Sequence, residues 1–400
     1  MPSLILGFLL GFLGLRIMQR LYYFLKGHVQ YWTFGPREAM DSFFATNKIA
    51  CSRHKFETRD KVMVKYTKLG RGSKVVLLCN GVGTDLFMWL PLFREMHKAQ
   101  PDLFENITLV APSYRGLFGS DLKSGQGEVS VTMDNCVADL PELLKDLQTN
   151  ADHGKQFASL SQFDTIMGEC VRISSPTPIP PNANANANPI PDPNPDPGWS
   201  MGAQTAITCL AKYPKLGSKL FLLNPSSGKT LHTVLQSFAP LPEAVGRRMS
   251  SIARYLIVDV LRPLIPGPVW GLLQSVACSF FFRAALEAGS FFGGSPPEQG
   301  AYFHRYMKDV FERREQTRGL LDLIVALDSP VPPKGLALPH ATKIISGIPD
   351  FMTGVYHATQ LAESMPNSTH VSFTMGSHFV LIEWPELVAL EALEIINAAR

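Results

Sequence analysis

The sequence predicts an α/β protein built on a mostly parallel, doubly wound sheet, with an inserted helical cap and an N-terminal hydrophobic helix. Three observations lead there. From residue 51 onward, short β-rich runs alternate with helical ones, the pattern of βαβ units whose sheet is covered on both faces. Residues 226–325 break that rhythm with helices alone. Residues 2–15 carry no charge.

The elements follow in order. Residues 51–58 and 61–69 read as a hairpin, and the apolar runs Lys74–Cys79 and Ile107–Ala111 as buried strands. A short helix is expected over Phe87–Met96. Val137, Leu140, Leu144 and Leu147 stand at helical spacing, so Val129–Leu147 is an amphipathic helix. Phe163–Met167 is strand-like, Gln204–Tyr213 helical and Lys219–Leu223 a further strand. The last repeat runs strand Thr342–Ser346, helix Val355–Ser364, strand His370–Thr374 and helix Pro385–Ala399. The first half of the core is thus 51–225, the cap 226–325 and the second half 326–400. Pro263 to Phe282 has no charge, but three prolines in its first six residues argue for a helical cap and against a second membrane span.

Composition excludes two classes. With 37 Lys+Arg against 34 Asp+Glu the formal charge is +3, too even for the broad basic face of a nucleic-acid binder. Hydrophobic residues make up 46% of the chain, which excludes disorder over its whole length. The six cysteines form no CxxC pair and sit mostly in apolar runs, so they read as buried free thiols of a reducing compartment. No metal-ligand spacing is present, and no cofactor is called for.

Residues 1–27 form an N-terminal membrane anchor in this reading. From Ser3 to Leu25 a helix reaches about 34 Å at 1.5 Å per residue, enough to cross the hydrocarbon of a bilayer. Arg16, Arg20 and Lys26 on its C-terminal side place the rest of the chain in the cytosol. An interfacial helix and a cleaved leader are the alternatives.

The chemistry begins with Gly198-Trp199-Ser200-Met201-Gly202, a match to Gly-x-Ser-x-Gly. That pentapeptide puts a serine on a sharp strand-to-helix turn, where small neighbours are needed on both sides. Downstream, Asp350 falls just past one predicted strand and His378 just past the next. Ser200, Asp350 and His378 therefore all stand at carboxyl ends of strands, where α/β sheets build their sites. His378 would take the Ser200 proton and Asp350 would orient the imidazole. Asn80-Gly81-Val82-Gly83 follows a strand without a Lys-Ser/Thr pair, which excludes a P-loop. Its Val82 N–H and the Met201 N–H are the candidate oxyanion donors.

With those residues in hand, the chain resembles the α/β-hydrolase fold superfamily, of the AB hydrolase-1 type, in its lipase- and esterase-like branch with a helical cap. The resemblance rests on Asn80-Gly81-Val82-Gly83, Pro112 to Ser120, the serine turn, Asn224-Pro225, Asp350 and Gly376 to Pro385, and spans roughly residues 55–397. It implies a serine hydrolase that attacks a carbonyl and passes through an acyl-enzyme on Ser200. The family usually has His-Gly where this chain has Asn80-Gly81. The apolar cap and the anchor point to a membrane-associated enzyme acting on a lipophilic ester. A non-catalytic binding protein on the same fold and an acyltransferase are the alternatives.

One stretch is foreign to this pattern. Nine of the 31 prolines fall within residues 169–198, among Asn-Ala repeats that form neither helix nor sheet. Removing these thirty residues joins Phe163–Gly168 to Trp199 and leaves an unbroken strand and serine turn, so the chain holds the first elbow glycine twice, as Gly168 and Gly198, with Gly202 as the second glycine. Gly-Glu-Cys-Val at one end and Pro-Gly at the other can be encoded by splice-boundary sequences, and thirty codons preserve frame. The segment reads as translated intron.

Overall fold

The computed structural model describes residues 36–81, 83–124, 127–128, 131–153, 156–168, 201–225, 243–261, 263, 268–277, 279, 311, 313–326, 338–348, 350, 353, 355–374, 376 and 378–398. The expected anchor, Val82, the segment 169–198, Ser200 and much of the cap lie outside these residues.

An eight-stranded sheet organises the molecule, in the order β1-β2-β4-β3-β7-β8-β9-β10. The hairpin β1 (Cys51–Glu57) and β2 (Met63–Gly70) is antiparallel, and β2 pairs antiparallel with β4 (Ile107–Pro112). From β4 onward every pairing is parallel, through β3 (Lys74–Cys79), β7 (Thr165–Gly168), β8 (Lys219–Leu223), β9 (Ala341–Gly347) and β10 (Ser368–Phe373). The short strands β5 (Lys123–Ser124) and β6 (Gly127–Glu128) pair separately. Central strands are buried along their length, as their unbroken apolar runs require, whereas β1 alternates between exposed and buried at the sheet edge.

Two pairs of helices supply the covering layers: Leu90–Ala99 packs on Pro385–Asn397, and Met133–Thr149 packs on Met201–Lys212. Helix Val355–Ser364 lies across β9 and β10, with the predicted boundaries. The buried Lys219 at the start of β8 donates to the carbonyls of Ile395 and Ala398, satisfying the C-terminal end of helix Pro385–Asn397.

Several boundaries differ from the sequence reading, each for a local reason. The helix expected from Val129 starts at Met133, because Thr132 is extended and its hydroxyl accepts from Asn135 N at 3.1 Å as an N-cap. Phe87–Met96 is divided into a 3₁₀ turn, Leu86–Trp89, and the helix Leu90–Ala99, whose first turn carries Pro91. The strand placed at Phe163 begins at Thr165, with Phe163 in a lone bridge to Gly217. Within the expected cap, Glu243–Tyr255 continues as a π-helical turn through Leu261, and Pro268 heads the helix Pro268–Ala277. No helix among the described residues is long and apolar enough to cross a membrane. Cys79, Cys136 and Cys209 are buried free thiols, but Cys51 is exposed, since the first position of an alternating edge strand faces outward.

The loop after β4 is held by a buried cation. Arg115 donates in fork geometry to Asp139 and also to Asp60, although it is only 3% exposed. Its neighbour Gly116 supports the last cap helix, Arg314–Ala326, where a Cβ at Gly319 would stand 3.0 Å from the Gly116 carbonyl oxygen. Arg115→Ala leaves Asp139 charged and buried, and is expected to cost about 3–5 kcal/mol in urea unfolding. Arg115→Lys should recover only part of that, because an ammonium lacks the planar fork.

Candidate active site

β9 and β10 end level, with Gly347 opposite Phe373, so the loops that follow them run side by side. Asp350 lies on the first and His378 on the second. His378 Nδ1 is 2.7 Å from Asp350 Oδ2, and the two side chains are 3% and 0% exposed. Burial pushes the Asp350 carboxyl up. The His378 ring and the Thr353 N–H and hydroxyl outweigh it and bring the group below the ordinary carboxylate range. The aspartate is thus an anion facing the imidazole, which fixes Nδ1 as the protonated nitrogen and makes Nε2 the basic one.

Two residues that the sequence reading did not assign to the site hold this pair in place. Thr353 N donates to Asp350 Oδ1 at 2.9 Å, and Thr353 Oγ1 donates to Oδ2 at 2.7 Å. Asn224, just past β8, donates from Nδ2 to the His378 carbonyl at 2.7 Å and accepts from Gly347 N at 3.0 Å. Its φ of +45° is a left-handed conformation that asparagine tolerates better than most residues. The signals were present but faint: Asp-x-x-Thr is the spacing at which a carboxylate meets the amide three residues on, and Asn-Pro follows a strand end.

The elbow is assembled from parts distant in the chain. Gly168 closes β7, opposite Cys79 and Leu222, and a Cβ on it would stand 2.5 Å from the Gly202 carbonyl oxygen and 2.7 Å from Ala203 Cα. The end of the strand therefore touches the first turn of helix Met201–Lys212. That helix starts three residues before its expected Gln204, immediately after Ser200. Gly168 thus occupies a close-approach position, of the kind that the glycines of Gly-x-Ser-x-Gly allow. Met201 is buried at the helix N-terminus, where its N–H has no partner within the helix. Ser200 and Gly198 lie outside the described residues.

Asn80, just past β3, stands where the sequence reading set Asn-Gly against the usual His-Gly. It is fully buried, donating from Nδ2 to the Pro112 carbonyl at 3.0 Å and accepting from Trp89 Nε1 at 2.9 Å. Its own carbonyl accepts from Tyr114 OH at 2.7 Å. Asn80 therefore anchors the glycine-rich turn through one amide N–H and its side-chain oxygen. Val82, on that turn, is outside the described residues, while Gly83 has the positive φ of +63° that such a turn requires.

Among the described residues, no group of His, Cys, Asp and Glu is placed to hold a metal ion. A cavity of about 340 Å³, a size suited to a small organic ligand, is lined by Arg254, Tyr255, Val258 and Asp259 of one helical segment and by Asp322 and Val325 of helix Arg314–Ala326, among others.

A mostly parallel eight-stranded sheet in this strand order, with Asp and His on the loops after its last two strands, defines the α/β-hydrolase fold. The chain has that fold, and solved structures bear it out. A thermophilic esterase from Thermogutta terrifontis, studied with malate bound, aligns at 17% identity and a TM-score of 0.54, over 87% of this chain and 100% of its own. MGS-M2, an α/β hydrolase enzyme from a Medee basin deep-sea metagenome library, aligns at 15% identity and a TM-score of 0.55, over 87% and 98%. A bromoperoxidase from Bacillus anthracis gives 16% and 0.55, over 87% and 100%. No protein-family model and no curated protein matches the sequence.

A methyl group at Gly168 must displace backbone, because what it meets is the Gly202 carbonyl. Gly168→Ala is expected to lower stability by about 1–3 kcal/mol, measured by chemical denaturation. A variant as stable as the parent would show that strand and helix do not meet there.

Proposed function

We propose that the protein is a serine hydrolase that cleaves a carboxylic ester through an acyl-enzyme on Ser200. The observation that carries this reading is the buried Asp350–His378 pair at 2.7 Å, set beside the helix whose first residue follows Ser200. His378 Nε2 accepts the Ser200 proton as Oγ attacks the ester carbonyl, and the imidazolium then protonates the departing alcohol. Water, deprotonated by the same imidazole, releases the acid. The N–H groups of Met201 and Val82 receive the oxyanion, each such donor contributing about 2.7–4 kcal/mol to the barrier.

The substrate we infer is lipophilic and taken from a membrane to which residues 1–27 attach the chain, with the hydrolase domain in the cytosol. Support comes from the cap. Val245, Met249, Ile252 and Leu256 recur at helical spacing and are all 40% or more exposed, and Leu272 and Val276 on the next helix are exposed as well. Elsewhere among the described residues only Ile348, Leu387 and Leu390 are large, apolar and exposed. Among the described residues, apolar surface thus gathers on the helices of the expected cap.

The working form, in this reading, lacks residues 169–198. The contact between Gly168 and Gly202 supports it, since the strand already reaches the helix without the segment.

A fluorophosphonate probe tests the reaction. Labelling should occur in the form deleted for 169–198 and disappear in Ser200→Ala and His378→Ala; labelling that survives Ser200→Ala removes the proposed nucleophile. The deleted form should hydrolyse esters at least about tenfold faster than the 400-residue chain, given how steeply rate depends on nucleophile placement, and equal turnover by the two would discard the intron reading.

A further inference from the structure

The Thr353 hydroxyl stands where three groups converge. It is 2.7 Å from Asp350 Oδ2, 3.1 Å from the Asn224 carbonyl oxygen and 3.1 Å from His378 Nδ1, with Thr353 itself 2% exposed. A hydroxyl has one proton, so it serves one of the two oxygens at a time. The shorter distance and the negative charge both assign it to Asp350 Oδ2, the oxygen that also receives the His378 N–H. Asp350 therefore carries three donors: the imidazole and the hydroxyl on Oδ2, and the Thr353 amide on Oδ1.

We infer that Thr353 is a positioning residue that acts on His378 through Asp350, its hydroxyl drawing charge from the carboxylate so that the imidazole stays neutral, and available as a base, to lower pH. The reasoning is electrostatic. Asp350 favours the imidazolium in proportion to the negative charge it presents, and a hydrogen bond donated to a carboxylate lessens that charge. Among the described residues, the charged group that acts on the Asp350 carboxyl is His378. Asn224 from the end of β8, Thr353 from the loop after β9 and Phe379 beside the ring are uncharged. The depressed carboxyl of Asp350, to which Thr353 contributes through both its amide and its hydroxyl, agrees with this arrangement.

The inference rests on reading Asp350 and His378 as the catalytic pair, and its test is independent of turnover. In the full chain labelled with ¹³C at histidine Cε1, the His378 signal is assigned by its loss in His378→Gln, and its titration is followed in the parent, Thr353→Ser and Thr353→Val. Valine keeps the branched shape and the backbone amide while removing the donor. The His378 titration should move to higher pH by about half a unit to one unit in Thr353→Val, and stay with the parent in Thr353→Ser. The acid limb of kcat/KM should move the same way. A titration unmoved or displaced to lower pH in Thr353→Val overturns the inference, as does an equal displacement in Thr353→Ser. A displaced titration in a chain that hydrolyses no ester leaves the inference standing and removes the proposed reaction instead.

Discussion

Asn224 ties together the segments from which the site is made. Its amide N–H donates to Ile345 O at 2.7 Å, its side chain bridges Gly347 N and the His378 carbonyl, and its own carbonyl lies 3.1 Å from the Thr353 hydroxyl. One residue thereby joins the end of β8 to the end of β9, to the loop carrying Asp350 and to the loop carrying His378. The left-handed backbone at φ +45° is what lets main chain and side chain reach in different directions at once. Parallel strands that end level bring the loops near each other, but the register of two loops is not fixed by the sheet, and the distance between a base and its partner carboxylate must be held to within a fraction of an ångström.

A second constraint acts at the elbow, where bulk and not hydrogen bonding decides the geometry. Gly168 lets the end of β7 lie against the first turn of helix Met201–Lys212. A strand ending on the helix that carries the nucleophile is the feature from which the fold derives its exposed serine. That contact is made although residues 169–200 separate the two elements in sequence. The core on either side is fully formed, with β7 paired to both β3 and β8.

Much of the fold was legible because burial leaves local marks. Strands Lys74–Cys79 and Lys219–Leu223 and helix Val355–Ser364 were readable to the residue from runs and spacing. Where boundaries differed, a single interaction moved them, as when the Thr132 cap delays its helix to Met133. Asp350 and His378 were legible as candidates because each follows a strand by a few residues. The parts of the site that were not legible work at long range. Asn224 meets a partner 154 residues away, and Asn80 is committed to the Pro112 carbonyl and the Trp89 indole.

The order of strands and helices, the buried character of the central strands and the identity of the candidate acid-base pair were written in residue types and their spacing, because hydrophobic periodicity and the position of polar residues at strand ends are local properties of a chain. That Gly168 meets helix Met201–Lys212, that Asn80 anchors the turn after β3, and that Thr353 and Asn224 hold Asp350 and His378 at 2.7 Å were settled when separate segments packed. Those are relations between distant residues, and the directional hydrogen bonds and close backbone contacts that create them exist only once the sheet has brought its strand ends together.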